Sequence, residues 1–183
     1  MRAFKYHPDP LGTGAFQRGD PKICSCCRSK TDIWYSGPFY PTSDCYGESE
    51  FDVKWLCPEC IDRGTAAWKC LIQFVDPNYK IPNEINYEEL VYCTPGIVGV
   101  RNADWEIHCN DYCEYHGIVS WDDLIRMSIV DELEIDSMNR IDGYEIPWLV
   151  ENLKKDGDVQ GVLFRCLSCG KYILKVVGKE IEY

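Results

Sequence analysis

Helical periodicity is clearest after the cysteine pair at residues 57–60. Apolar residues recur there at i, i+3, i+4 and i+7, at Trp68, Leu71, Ile72 and Val75. This spacing predicts a helix with one buried face. Another helix is indicated by Ser120, a favourable N-cap residue, because Asp123 follows three positions later as in a capping box.

Two shorter helices are indicated by the residues at their ends. A short helix is predicted from Asn86, and the TPG of residues 94–96 stops it. Pro147 occupies a plausible first helical position, and Lys154 and Lys155 lie near the C-terminal end of the same segment, where they complement the helix dipole.

Strand signals flank the remaining cysteines. Residues 32–40 are rich in aromatic and β-branched side chains, which predicts a strand that ends at Gly37 and Pro38. Near the C-terminus, β-forming residues lie on both sides of the CLSCG of residues 166–170, which predicts a strand, a tight turn and a second strand.

Pro77 and Pro82 mark the best boundary between two parts of the chain. The predicted fold class is α+β, with small zinc-ribbon-like β elements, packed helices and two cysteine-rich metal sites. We expect an N-terminal zinc-ribbon-like region over residues 1–76 and a C-terminal α+β region with a second zinc knuckle over 77–183. These two regions are either separate domains or parts of one compact unit.

The charge balance argues against a nucleic-acid partner. The chain has 183 residues, 30 Asp and Glu against 19 Lys and Arg, and a formal net charge of −11. Binding phosphates requires clustered Lys and Arg, which are scarce here, so a basic protein partner fits better. Solubility alone is the simpler explanation of the acidity.

The cysteines point to metal rather than to disulfides. No apolar run reaches the length of a membrane span, and the N-terminus lacks the apolar stretch of a secretory signal, so we expect a cytoplasmic protein that does not bind membranes. In a reducing compartment, Cys-x-x-Cys clusters more often bind metal than form disulfides. The chain has twelve cysteines, of which six form three Cys-x-x-Cys pairs and two more form the similar pair at residues 109 and 113.

The first predicted zinc site combines two Cys-x-x-Cys pairs, formed by Cys24, Cys27, Cys57 and Cys60. Each pair supplies two thiolates to one side of the metal, and the second pair completes a tetrahedron. Cys26 is an alternative to one ligand of the first pair. A further alternative is a redox pair formed by the cysteines of residues 57–60, whose first thiolate would lie at a helix N-terminus.

The second predicted zinc site combines Cys109 and Cys113 with the knuckle cysteines Cys166 and Cys169. Gly170 allows the backbone to turn behind the second knuckle thiolate. His108 and His116 are alternatives that would replace one thiolate. The remaining histidine, His7, is expected to bridge a turn rather than to bind metal. The sequence therefore predicts two Zn²⁺ per chain.

Two functions remain compatible with these sites. A module with two closed sites has no open metal position and would act by binding another protein, which makes a non-enzymatic role the better prediction. The alternative is a zinc-dependent hydrolase centred on residues 108–116, in which His108 or His116 helps to bind the metal and Asp111 or Glu114 acts as a general base.

Several segments in order along the chain resemble the bacterial CbrC family. They are FKYHPDPLGTGAF, the cysteine pair after it, GPFY, LCPECIDRGTAAWK, TPG, HCNDYC and LFRCLSCG. The resemblance implies a bacterial cytosolic protein and, because the best-known member is associated with tolerance of colicin E2, a role in resisting a nuclease-type toxin. It implies no reaction and no catalytic residues. The extra cysteine of CSCC, Cys26, departs from the family pattern, as does the Val100-Arg101 region after TPG.

Overall fold

The computed structural model of the chain describes residues 3–42, 53–100 and 103–178. The fold is α+β, as predicted, and is built from small antiparallel sheets and short helices. Two compact units are present, residues 1–99 and 100–183. The boundary predicted after residue 76 falls inside the first unit, because the following segment packs back: the Phe74 N–H donates to the Val91 carbonyl at 2.9 Å.

The described residues of the first unit form four strands and three helices. In chain order they are β1 (Phe16–Ile23), β2 (Lys30–Tyr35), β3 (Tyr40–Pro41), α1 (Pro58–Asp62), α2 (Thr65–Cys70), β4 (Ile72–Gln73) and α3 (Glu84–Cys93). Strand β1 pairs with β2 and β3 pairs with β4, both antiparallel. Helix α3 begins close to the predicted Asn86, since Asn83 caps it by accepting the Asn86 N–H at 3.2 Å.

The prediction of one amphipathic helix after residue 60 is wrong. The chain instead forms α1 and α2, and α2 ends when Leu71 takes a left-handed conformation with φ 54°. Ile72 then begins β4, and the Trp68 side chain is 86% exposed. The buried face of α2 consists of the small residues Ala66, Ala67 and Cys70. Apolar spacing alone did not reveal this break.

Aromatic rings and cysteines share the core of the first unit. Phe16 stacks on Phe4 at 5.7 Å and meets Tyr35 edge-on at 5.6 Å, and Tyr35 meets Phe74 at 5.3 Å. The same core includes three of the predicted ligands: Cys24, Cys57 and Cys60. The predicted metal site is therefore anchored in the packed interior of its unit.

His7 is fully buried and bridges two segments of the first unit. Its Nδ1 lies 2.8 Å from the Pro95 carbonyl and its Nε2 lies 2.6 Å from the Thr13 hydroxyl. A carbonyl only accepts hydrogen bonds, so Nδ1 carries a proton and donates it to Pro95, while Nε2 and the Thr13 hydroxyl share the second hydrogen bond. This bridging role agrees with the sequence-based prediction.

Replacing His7 by phenylalanine is expected to lower the free energy of unfolding by about 2 to 3 kcal/mol, because the buried Pro95 carbonyl loses its donor. Urea denaturation of the two proteins measures the difference. Thr13→Val is the milder control, since it removes only the second hydrogen bond of the ring. Equal stability of wild type and His7→Phe would contradict the bridging role.

The second unit is organised around one three-stranded sheet. The strands and α-helices of its described residues are β5 (Ile107–His108), β6 (Asp111–Tyr112), β7 (Glu114–Val119), α4 (Trp121–Met127), β8 (Arg140–Ile141), β9 (Tyr144–Glu145), α5 (Ile146–Asn152), β10 (Val159–Arg165) and β11 (Tyr172–Gly178). The sheet has the order β11-β10-β7 and is antiparallel throughout. The predicted strand, turn and strand around residues 166–170 is confirmed as β10 and β11.

Both faces of the three-stranded sheet are packed. Leu163 and Leu174 join a cluster with Leu124 of α4 and Leu149 of α5. Phe164 contacts a second aromatic group, with Tyr115 at 5.7 Å and Trp105 at 6.0 Å between ring centroids. The second predicted metal site lies next to this sheet, in the segment that leads into β7 and in the turn that follows β10.

The predicted capping box of α4 is confirmed. The Ser120 hydroxyl accepts the Asp123 N–H at 3.2 Å, and the Asp123 carboxylate accepts the Ser120 N–H at 2.9 Å. Among residues 3–42, 53–100 and 103–178, no helix combines the length and apolar character needed to cross a membrane.

Candidate metal centres

Four thiols of the first unit meet at one point, which we call the N-terminal centre. Their sulfur atoms lie within 4.8 Å of one another, and the residues are Cys24, Cys27, Cys57 and Cys60. Across the group, Cys24 Sγ lies 3.9 Å from Cys60 Sγ, and Cys27 Sγ lies 3.8 Å from Cys57 Sγ. A tetrahedral zinc with Zn–S bonds near 2.3 Å requires sulfur separations of about 3.8 Å. The thiols therefore fit one tetrahedral ion.

Each pair of the N-terminal centre is shaped by a short turn. In the first, the Arg28 N–H donates to the Cys24 carbonyl at 2.9 Å, and Arg28 has a positive φ of 63°. In the second, Cys57 is the N-cap of α1 and its carbonyl accepts the Cys60 N–H at 3.1 Å. The Cys57 N–H also points to Cys24 Sγ at 3.4 Å, which joins the two turns.

Cys26 lies outside the N-terminal centre, although it occupies the middle of the CSCC sequence. It is half-buried and packs against the core of the first unit. The structure thus brings Cys24 and Cys27 to the centre, as the x-x spacing suggested, and leaves Cys26 beside it.

Hydrogen bonding distributes protons unevenly among the thiols of the N-terminal centre. The hydrogen bond from Cys57, together with nearby backbone N–H groups, lowers the pKa of Cys24 to about 4 against the opposing effect of burial. The same bond, with burial, raises the pKa of Cys57, and burial raises the pKa of Cys60. Burial opposes ionisation of Cys27, but hydrogen bonds from Ser29 prevail and lower its pKa. Cys24 is therefore ionised near neutral pH while Cys57 and Cys60 keep their protons, so a cation is needed to ionise all four thiols.

A histidine and three cysteines meet in the second unit, at what we call the C-terminal centre. Its members are His108, Cys109, Cys166 and Cys169, whose ligand atoms lie within 4.8 Å of one another. His108 Nδ1 lies 3.3 Å from Cys109 Sγ and 3.4 Å from Cys169 Sγ. With Zn–N near 2.05 Å and Zn–S near 2.3 Å, a tetrahedral edge from nitrogen to sulfur is about 3.6 Å. This set also fits one ion.

Two tight turns build the C-terminal centre. His108 pairs with Asp111, so Cys109 and Asn110 form the two-residue turn of a hairpin, and both have positive φ, 51° and 62°. On the other side, Cys166 follows β10 and its carbonyl accepts the Gly170 N–H at 3.0 Å. Gly170 has φ 76°, the left-handed conformation expected for the knuckle.

The Cys113 side chain lies outside the C-terminal centre. It is fully buried, its N–H donates to the Glu106 carbonyl at 2.9 Å, and its carbonyl accepts the Trp105 indole N–H at 2.8 Å. The four-residue spacing from Cys109 suggested a pair, whereas the hairpin turn places His108 beside Cys109 instead. A turn signal at Asn110 was the feature of the sequence that could have indicated this pairing.

The second histidine of this region, His116, belongs to a neighbouring polar network. Its Nε2 lies 3.3 Å from the Glu114 carboxylate, which also lies 3.7 Å from the Arg165 guanidinium. His116 and Arg165 both contact the Tyr172 ring. The network joins β7, β10 and β11 next to the knuckle, and His116 is not among the grouped ligand atoms.

The thiols of the C-terminal centre are also unequal in acidity. Burial opposes ionisation of Cys166, but the hydrogen bonds from the Cys169 backbone and the His108 side chain prevail and lower its pKa to about 6. Desolvation and the neighbouring sulfurs of Cys166 and Cys169 raise the pKa of Cys109 to about 11. Metal binding here must remove a proton that Cys109 otherwise keeps at neutral pH.

Metal binding is therefore expected to release protons and to weaken as the pH falls. The thiols with raised pKa, Cys57, Cys60 and Cys109, are protonated at pH 7 in the metal-free chain and must ionise to bind. Adding zinc to metal-free protein in weak buffer with a pH indicator should release at least three protons per chain. Cadmium, a second thiophilic cation, should give the same count. Release of none would contradict thiolate ligation.

Comparison with known proteins places the chain in a family. A family model described as "Uncharacterised protein family (UPF0167)" matches residues 1–177. The chain belongs to this family. A UPF0167 protein of Mycobacterium bovis and one of Mycobacterium tuberculosis are each 31% identical over 179 residues, which cover 93% of this chain and 89% of the relative. A UPF0167 protein of Pseudomonas aeruginosa is 28% identical over 117 residues, 62% of each chain.

No solved structure matches the chain. The UPF0167 match includes both candidate centres, since their ligands lie between residues 24 and 169. This member of the UPF0167 family thus carries two groups of residues that could each hold a metal ion.

Proposed function

We propose that this UPF0167 protein binds two Zn²⁺ ions, one in the N-terminal centre and one in the C-terminal centre. The observation that carries the proposal is that both groups contain four donor atoms at separations suited to tetrahedral zinc. Thiolate and imidazole donors favour Zn²⁺ over Mg²⁺ and Ca²⁺, which prefer oxygen. The zinc-ribbon-like description of the first unit is part of this proposal.

The metals would stabilise the units rather than perform chemistry. Four protein donors leave no coordination position for a reacting water. In the first unit the donors come from two separate turns, and in the second from a hairpin and a knuckle. A bound ion would therefore cross-link segments that are distant in sequence, as in small domains that fold only with metal.

Metal analysis of protein purified under reducing conditions tests this proposal. About two zinc ions per chain are expected, and the seven grouped thiols should resist alkylation until a chelator is added. Thiols outside the groups, such as Cys26, serve as the control because their labelling should not depend on metal. One zinc or none would overturn the two-site proposal.

The proposed activity is the binding of another, basic protein in the cytoplasm. Residues 100–183 contain 17 Asp and Glu against 9 Lys and Arg, a net charge of −8 out of the chain's −11. Two zinc-thiolate sites of these compositions add about three further negative charges. Such a field accelerates association with a positively charged partner and disfavours nucleic acid.

The resemblance to the CbrC family adds a more specific version of this activity, tolerance of a colicin-type nuclease toxin. A nuclease domain that binds DNA is basic, which suits an acidic partner. Survival of cells that carry or lack this gene, measured against a nuclease colicin, tests the link. Unchanged killing would refute it while leaving the zinc proposal intact.

The alternative function is a zinc hydrolase centred on residues 108–116. It is favoured by a histidine in the C-terminal centre and by the nearby contact of His116 with Glu114. It requires three protein ligands and a bound water, whereas four donor atoms are grouped here. X-ray absorption of the zinc-loaded chain distinguishes the two: an oxygen ligand would favour the hydrolase.

A further inference from the structure

The two centres differ in how their sulfur atoms meet solvent. In the C-terminal centre, Cys109 and Cys169 are both exposed, and only Cys166 is buried. In the N-terminal centre, Cys27 is exposed while its three partners are buried. A cleft of about 410 Å³ also opens beside Cys27 and Cys57. The first centre therefore offers one accessible thiol and the second offers two.

The two exposed thiols of the C-terminal centre lie within reach of each other. Their sulfur atoms are no more than 4.8 Å apart, and a disulfide requires about 2.05 Å. Cys109 lies in the hairpin turn and Cys169 in the knuckle turn, where Asn110, Leu167 and Ser168 are also exposed. An approach of less than about 3 Å can therefore be made by two surface turns, without moving buried side chains.

We propose that Cys109 and Cys169 form a peroxide-reactive pair whose oxidation to a disulfide releases the metal of the C-terminal centre. The release rests on the proposed function, because it requires zinc to be bound there. The co-reactant is a hydroperoxide, and thiolates that solvent can reach are the ones it oxidises. The pair would make zinc occupancy of the second unit sensitive to oxidant.

The reaction balances in two steps. One thiolate attacks the peroxide, the O–O bond breaks, and a sulfenic acid and hydroxide form. The second thiolate attacks the sulfenic sulfur, the S–S bond forms, and a second hydroxide leaves. Together the two sulfurs lose two electrons and the peroxide gains them. His108 and Cys166 then remain as donors, and two ligands hold Zn²⁺ far less tightly than four.

The same sequence of steps is disfavoured at the N-terminal centre. A sulfenic acid on Cys27 would find its nearest opposite sulfur on Cys57, at 3.8 Å, but Cys57 is buried and lies at the N-terminal end of helix α1. Joining them requires the helix end or the core to shift. The N-terminal centre is therefore the internal reference for the experiment, because it has the same metal and the same oxidant in one molecule.

The test uses the full chain loaded with two zinc ions and treated with hydrogen peroxide. The expected result is fast release of one zinc per chain, followed with a metallochromic indicator, and an intact mass lower by about 2 Da. Peptide mapping should find the bond between Cys109 and Cys169, and reductant should restore zinc binding. A Cys93→Ser chain, which changes a half-buried thiol outside both centres, should behave identically.

The outcomes separate this inference from the proposed function. A chain that binds fewer than two zinc ions before oxidant is added refutes the two-site proposal. A chain that binds two and then loses neither, loses the N-terminal ion first, or forms a different disulfide refutes the peroxide-reactive pair alone. Because the disulfide is mapped in the wild-type chain, the result does not depend on the folding of a cysteine variant.

Discussion

Changing Cys60 to serine is expected to remove the metal from the N-terminal centre and to unfold the first unit at room temperature. Cys60 is a buried member of the N-terminal centre and shares the core of the unit with Leu56 and Ile61. Structural zinc contributes about 10 to 16 kcal/mol in small metal-dependent domains, whereas a whole domain is stable by about 5 to 15 kcal/mol. Loss of one thiolate therefore threatens the entire fold of this unit.

The measurement is zinc content together with thermal unfolding followed by circular dichroism. Cys70→Ser is the matched control, because Cys70 is a buried thiol of the same core that lies outside the metal group. It places the same hydroxyl in the same interior and should keep two zinc ions, with an expected cost of about 1 to 3 kcal/mol. If Cys60→Ser kept two zinc ions and melted like Cys70→Ser, metal would not support this unit.

The grouping of the first four cysteines could be predicted because the signal is local. A Cys-x-x-Cys turn places both thiols on one side of a metal whatever the surrounding fold, so two such turns suffice to suggest a site. The structure brings together the same four sulfur atoms. The capping box of α4 and the strands around the knuckle were predictable for the same reason, since each depends on a few neighbouring residues.

The features that sequence did not predict depend on backbone conformation or on distant contacts. Periodicity extended a helix through Leu71, but the left-handed conformation of that residue ends α2, and Trp68 lies on the exposed side of this short helix. The prolines at 77 and 82 resembled a domain linker, yet α3 packs against the strand before them. Hydrophobic patterns do not reveal where a chain returns to its own core.

The residues that form the C-terminal centre also depend on backbone conformation that the sequence pattern does not reveal. Spacing favoured Cys113, which has the commoner ligand type, over His108, which is adjacent to Cys109 in sequence. Adjacent residues rarely bind one ion in an extended strand, because their side chains point to opposite faces. The positive φ of Cys109 breaks that alternation and brings both donors to the same point.

Changing His108 to alanine is expected to weaken zinc binding at the C-terminal centre by at least a hundredfold, while Cys113→Ala should keep both ions. His108 Nδ1 contacts two sulfur atoms of the centre, whereas the Cys113 side chain is buried beside it and its main role is packing. Competition with a chelator of known affinity measures the weaker site of each protein. The N-terminal centre of the same chain serves as the reference and should be unaffected.

Cobalt substitution gives the decisive form of this comparison, since the ligand-field bands of Co²⁺ differ between three-sulfur, one-nitrogen and four-sulfur sites. The wild-type chain is expected to show one site of each kind. Cys113→Ala should leave the cobalt spectrum unchanged, although truncating this buried side chain should lower the free energy of unfolding by about 1 to 2 kcal/mol. If Cys113→Ala instead lost the second ion and His108→Ala retained a four-sulfur spectrum, Cys113 would be the fourth ligand. The hairpin would then have to rearrange on metal binding, because Cys113 now lies outside the group and His108 lies within it.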